Sequence, residues 1–226
     1  MIEIEIMNKD IKEVVTFKPK QVLKSLLGVL PERARDIVKK RYGLEAKTSL
    51  TLEAIGQGYG ITRERVRQIE EFALRSIKKS PVFNAAGDIF DELKSVMDQY
   101  GGVVHEQEFL NHVTADRVEQ NNIHFLLVLG NAFSKLREDD SFHHRWTIDQ
   151  NLAEAIHRSL KNLCQNLSTD DLLSEDELVA AFVKSLSNGV KPEAAQTHAK
   201  RWIALSKEIG QSPIGEWGLT KSPNVR

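Results

Sequence analysis

A single cysteine, Cys164, stands in 226 residues, so no internal disulfide can form and no paired-cysteine zinc site exists. Prolines number 6 and glycines 13, too few for a collagen-like or low-complexity chain. No run approaches the roughly 18 consecutive apolar residues that a membrane span needs. The start, Met1-Ile-Glu-Ile-Glu-Ile6, carries acids where a signal peptide has a basic start and an apolar core. A cytoplasmic location is therefore expected, with no membrane partner. No Ser-His-Asp order, phosphate loop or paired acids stand out, so neither an enzyme nor a cofactor is expected. What remains is ample for folding: 41% apolar and 28% charged residues, enough for one or two ordinary domains or three small ones.

The net charge of −1 hides a partition. Residues 31–80 hold 12 basic and 7 acidic side chains, net +5, whereas residues 81–226 hold 14 and 21, net −7. A nucleic-acid footprint belongs in the basic segment. The acidic remainder is better suited to protein contacts or internal packing, because gripping phosphate needs a positive surface. Lys135, Arg137 and Arg145 are its local basic exceptions.

Periodicity divides the chain further. Ile2, Ile4 and Ile6 alternate with acids as in a short strand or a frayed terminus. Pro19 opens a helix to Gly28, and a second helix runs from Pro31 to Tyr42 with Gly43 as its stop. Thr51 caps a third, which Gly58, Tyr59 and Gly60 break. Thr62 caps a fourth, where Ile61 and Val66 form a hydrophobic staple and Val66, Ile69, Ala73 and Ile77 a buried stripe. Ser80-Pro81 closes this unit. Then come a helix at 88–100, a strand at Val103-Val104, helices at 105–113 and 116–130, and strands Phe133–Leu136 and Phe142–Ile148 around a polar turn. Helices followed by a hairpin is the order of a winged helix. The order partly repeats: a helix from Leu152 to Leu167, a capping box at Ser174–Glu177, a helix from Pro192 to Gly210, and a strand within Ile214–Leu219.

The expected fold is mainly α. An N-terminal helix-turn-helix precedes two winged-helix-like α+β domains with short hairpins. The segments are 1–28, 29–80, 84–149 and 151–226. No apolar element closes the chain after Asn224, which reads as a piece of something longer.

Residues 51–79 carry the chemistry. A helix that reads DNA places its N-terminal face in the major groove. Arginine donates to guanine O6 and N7, glutamine pairs with adenine, and glutamate accepts from the cytosine amino group. Arg63, Glu64, Arg67 and Gln68 share one face of the first two turns and offer all three chemistries. Arg65 and Arg67 flank that face within reach of phosphate, aided by the positive helix N-terminus. A solvated charged face is the plain alternative; the capped preceding helix, the glycine turn and the staple argue against it.

These residues also resemble a known family. Thr51-Leu-Glu-Ala-Ile-Gly56, then Gly60-Ile-Thr-Arg-Glu-Arg-Val-Arg-Gln-Ile-Glu70 and Ala73-Leu-Arg75, resemble region 4 of primary bacterial RNA polymerase sigma factors, with Leu30-Pro-Glu-Arg33 and Arg41-Tyr-Gly-Leu44 upstream. The resemblance implies a reader of the −35 promoter element that docks on the β flap of RNA polymerase. It implies a DNA-contacting set of Thr62, Arg63, Glu64, Arg65, Arg67, Gln68, Arg75, Lys78 and Lys79. Sigma region 2, which opens promoters in that family, is absent, and Gln57-Gly58 replaces the family's charged residues. Beyond residue 80 the pattern, with Gly215-Glu-Trp-Gly-Leu219, resembles winged helices of the HARE-HTH type.

His105, His112, His124, His143 and His144 match no zinc spacing, so no metal is expected and they read as surface histidines. Cys164, Trp202 and Trp217 read as core. The function expected is transcription regulation, with double-stranded DNA as partner and the acidic part contacting polymerase or a second copy in a homodimer. The rival readings are a polymerase-docking module without DNA reading, and an adaptor piece of a larger DNA-acting enzyme.

Overall fold

A computed structural model describes residues 14–225. The alternating Ile2–Ile6 segment lies outside the described residues. Eleven helices and five short strands occur among those described. The chain divides into two compact units. One runs to Leu93 and takes in Leu110–Gly130; the other comprises Lys94–Phe109 and the chain from Asn131 onward.

The first unit contains α1 (Pro19–Leu27), α2 (Glu32–Tyr42), α3 (Leu52–Tyr59), α4 (Arg63–Lys78) and α5 (Pro81–Ala85). Pro19 supplies the first position of α1, where a missing N–H costs nothing. Leu23, Leu26 and Leu27 form its buried side. Gly43 ends α2 in the left-handed region, φ 65°, which glycine enters without Cβ strain. Helix α5 was not expected. Ser80 accepts a hydrogen bond from the Phe83 amide, and Pro81 occupies the first position, so the pair that stops α4 also starts α5.

Three further helices are α6 (Gly87–Gln99), α7 (Glu106–Val113) and α8 (Arg117–Leu129). Helix α8 belongs wholly to the first unit. Asp116 caps it through the Glu119 amide, and Ile123, Phe125, Leu126, Leu127 and Leu129 are all fully buried. The rings of Phe125 and Tyr42 lie 4.6 Å apart. The Asn121 carboxamide donates to the carbonyls of Gly43 and Ala46, each at 3.0 Å, so α8 is clamped to the end of α2.

The second unit holds an antiparallel sheet of β1 (Val103–His105), β2 (Ser134–Leu136) and β3 (Arg145–Thr147), in the order β1-β3-β2. Trp146 pairs with Val104 on one side and Lys135 on the other. Both hairpin strands are shorter than the sequence pattern implies. The reason is Arg145, only 5% exposed. Its guanidinium donates to the carbonyls of Arg137 and His143, to Asp139 and to His157 at 2.9–3.0 Å. Those bonds satisfy the intervening loop without a ladder.

After β3 come α9 (Gln150–Asn166), α10 (Glu175–Lys184), α11 (Pro192–Ile203), β4 (Ile209–Gln211) and β5 (Trp217–Leu219). β4 and β5 pair antiparallel, and Leu173 bridges to Trp217. The capping box at Ser174 and Glu177 is formed. Helix α11 stops at Ile203, short of the Gly210 expected from its periodicity. Long-range pairing overrides the local pattern there. The His143 amide donates to the Leu205 carbonyl at 3.0 Å and the Lys207 amide to that of Ser141 at 2.8 Å, which holds Ser206 in an antiparallel bridge to Phe142. Trp202, 1% exposed, anchors this core beside Phe182, Ile156 and Leu160. Cys164 packs at its margin, where burial pushes the thiol up to about 11.

Candidate nucleic-acid interface

Helices α3 and α4 meet over a small core of Ile37, Ile55 and Val66, with Leu52, Tyr59, Ile61 and Ile69 packed around it. Thr51 accepts from the Ala54 amide and Thr62 from the Arg65 amide, each at 3.1 Å. Both caps thus sit where the sequence places them, and Ile61 beside Val66 forms the staple. The turn itself differs from the expected break. Helix α3 runs through Gly58 to Tyr59, and Gly60 alone, at φ 64°, ends it.

The residue that makes the turn tight is Gly56. A Cβ there would lie 2.6 Å from the Ile61 carbonyl oxygen, and the Ile61 amide donates to the Gly56 carbonyl at 3.0 Å. Two backbones touch at that point, so no side chain fits. In the linear chain Gly56 stands only as one residue of the Thr51–Gly56 motif. Its signal was an unexplained glycine inside a helical pattern.

Two polar anchors set the angle of this pair on α2. Tyr59 of α3 donates to Asp36, and Lys40 donates to the Tyr59 hydroxyl. Tyr42 donates to Glu70 of α4 at 2.8 Å, with Arg41 3.5 Å from the same carboxylate. Burial, with the negative Glu70 beside it, raises the Tyr42 phenol well above its ordinary value, so it stays a donor.

The outward face carries the candidate residues. Thr62, Arg63, Glu64, Arg65, Arg67, Gln68, Arg75 and Lys79 are exposed, and Lys78 is half-buried. At 100° per residue, Arg63, Glu64, Arg67, Gln68, Arg75 and Lys78 share one side. Arg65 and Lys79 lie further round, beside Phe72.

This face is cross-linked along the helix. Arg67 donates to both Glu64 oxygens, at 2.7 and 2.9 Å, and pairs with Glu71. Gln68 donates to Glu64 at 3.5 Å, and Arg65 donates to Gln68 at 3.0 Å. The Arg67 bonds hold the Glu64 carboxyl below the usual carboxylate range. Arg75 turns back to the Glu71 carbonyl at 3.3 Å. The face thus presents cations, carboxylates and an amide in fixed relative positions. Their donors and acceptors suit base edges and phosphate oxygens.

Among the described residues no group of three or more His, Cys, Asp or Glu side chains could hold a metal ion. The histidines at 105 and 143 do approach each other, with ring centroids 5.0 Å apart. No helix of the described chain is long and apolar enough to cross a membrane.

A capped helix, a tight glycine turn and a second capped helix with a polar outward face define a helix-turn-helix. Comparison with known proteins narrows the class. Residues 26–79 match the family described as sigma-70, region 4. The chain is 41% identical over 68 residues to the RNA polymerase principal sigma factor HrdD of Streptomyces griseus, 30% of this chain and 20% of that protein. It is 48% identical over 56 residues to the RNA polymerase sigma factor SigA1 of Synechococcus elongatus, 25% of this chain and 14% of that protein. A SigA from a Bacillus species is 42% identical over 59 residues, 26% of this chain and 16% of that protein. The chain therefore spans a fifth or less of the length of these relatives. No solved structure matches it. The segment is homologous to region 4 of principal sigma factors.

Proposed function

We propose that this protein is a DNA-binding regulator of transcription, whose helix α4 enters the major groove of a −35-like promoter element. The observation that carries the reading is the exposed, cross-linked polar face of α4 on a helix-turn-helix whose sequence is homologous to sigma region 4. Arg63, Arg67 and Gln68 would read base edges, Glu64 would accept from cytosine, and Arg65, Arg75, Lys78 and Lys79, with Arg67 when it is freed from Glu64, would hold phosphate. The Thr62 cap leaves the α4 amides beside the backbone of the duplex.

RNA polymerase is the proposed protein partner, since the relatives are named as its sigma factors. Phe72, 51% exposed, supports a protein contact on the flank of α4. It lines a shallow groove with Pro31, Ala34, Ile61 and Ile69, edged by Arg33 and Arg65.

The two helix-and-sheet segments after residue 84 are read as winged-helix-like. The order β1-β3-β2, and the bridge of Leu173 to the β4–β5 pair, support that reading. In the first of them the last helix, α8, is buried against α1 and α2 and offers no reading face. DNA recognition therefore falls to α4 alone in that unit.

Fluorescence anisotropy with a −35-like duplex and a scrambled duplex of equal length, at two salt concentrations, tests the proposal. Tighter binding to the −35-like duplex is expected. With about four phosphates neutralised, log K should fall against log salt with a slope of about −3.6. A flat salt response, or equal affinity for both duplexes, overturns the reading.

A further inference from the structure

The outward side of α4 carries a second carboxylate that base reading does not use. Glu71 follows Glu64 by seven residues, about 20° from it round the helix and roughly 10 Å further along. It is exposed, as Glu64 is. Glu64 sits in the first turn, where a recognition helix meets base edges, and can accept from a base amino group. Glu71 sits in the third turn, past those positions. A negative charge on a face that approaches phosphate lowers affinity for every duplex.

The arginine between them gives Glu71 its role. The Arg67 guanidinium is divided between the two carboxylates. Its Nε and Nη2 donate to the two Glu64 oxygens, at 2.9 and 2.7 Å, and its Nη1 donates to Glu71. Glu71 is also joined to Arg75, whose Nε donates to the Glu71 main-chain carbonyl at 3.3 Å. The Nε–Nη2 edge of a guanidinium is a pair of parallel donors that fits a carboxylate and a phosphate alike. Glu64 therefore occupies the edge of Arg67 that a phosphate would take.

We propose that Glu71 is a specificity-determining residue: it holds Arg67 by Nη1 so that the Nε–Nη2 edge passes from Glu64 to a DNA phosphate only where a cytosine amino group draws Glu64 away. On a duplex without cytosine at that place, Glu64 keeps the edge and the phosphate contact is not made. On the matching duplex the base contact and the phosphate contact form together. A base thus governs a backbone contact that carries no sequence information of its own. The inference rests on the proposed reading of a −35-like element by α4, and adds to it a residue outside the DNA-contacting set. An exposed ion pair with no such role is worth little and predicts something else: removing Glu71 then relieves repulsion of all duplexes alike.

The test is fluorescence anisotropy of the full chain with a −35-like duplex and a scrambled duplex of equal length. Glu71→Gln, Arg67→Ala and the double variant change only exposed side chains, and thermal melts check that each is folded. Glu71→Gln alone should lower the ratio of the two affinities about two- to fivefold, the range set by losing one exposed charge pair. The fall should come mainly from tighter binding to the scrambled duplex. In the Arg67→Ala background Glu71→Gln should leave the ratio unchanged. Equal tightening of both duplexes by Glu71→Gln, or the same fall in ratio without Arg67, overturns the proposal. A wild-type preference that survives Glu71→Gln in full removes this inference alone. A wild-type chain with no preference between the duplexes removes the promoter reading, and the inference with it.

Discussion

Arg63 and Arg67 look alike in sequence but differ in the fold. Arg67 is held by Glu64 and Glu71, whereas Arg63 sits at the first position of α4, ahead of that network. Arg63→Ala should cost about 1–3 kcal/mol at the preferred duplex and relax selectivity at one base pair. Titration of the variant against single-base-substituted duplexes checks this. Glu64→Gln should release Arg67 from its strongest partner. Non-specific affinity should then rise and the salt slope steepen by about 0.9, as one more phosphate is neutralised. Gly56→Ala acts differently, on stability alone. Its methyl group would press on the Ile61 carbonyl, and overpacking of this kind costs about 1–3 kcal/mol. Urea unfolding followed by circular dichroism should show the lower midpoint.

At the scale of the element, α4 depends on its first turn. Thr62 satisfies the Arg65 amide, and Ile61 with Val66 sets the entry angle of the chain. Thr62→Ala should destabilise by about 0.5–2 kcal/mol and weaken binding to every duplex. Thr62→Ser, which keeps the hydroxyl, should restore both, as parallel melts and titrations would show. At the other end, Lys79→Ala should weaken all duplexes equally and leave selectivity intact, because a phosphate contact carries no base information. Helix α8 carries polar residues into the interior: Gln120 and Asn122 are 4% and 1% exposed. Gln120 donates to the Thr114 carbonyl and to Asn111, each at 2.9 Å.

Across the whole molecule, histidines make the second unit sensitive to acid. His157 accepts from the buried Arg145; burial and that nearby cation push it down to about 4. His105, His143 and His198 are lowered as well, each chiefly by burial. A histidine held neutral in the fold but protonated near pH 6.5 when unfolded favours the unfolded chain as pH falls. The stability of this unit should be full above pH 6.5 and decline between about pH 6.5 and 4. Thermal melts at pH 7.5, 6 and 5 should show a falling midpoint, and His157→Gln should reduce the fall.

Much of the interface was legible in the linear chain. The caps at Thr51 and Thr62, the staple and the stripe of Val66, Ala73 and Ile77 are local features, governed by hydrogen bonds and spacings within a few residues. The charged face of α4 follows from the same period. What local order could not decide depends on distant partners. Ile61, five residues on in a turn, requires Gly56 to be bare. The bridge of Ser206 to Phe142 ends α11 seven residues early. The Tyr42–Phe125 contact and the Asn121 clamp put α8 on the N-terminal unit. Sequence determined the helix-turn-helix and its chemistry, because capping, period and charge act at short range. Tertiary structure alone decided where α11 ends and which polar residues are buried. Burial and long-range pairing belong to the assembled chain.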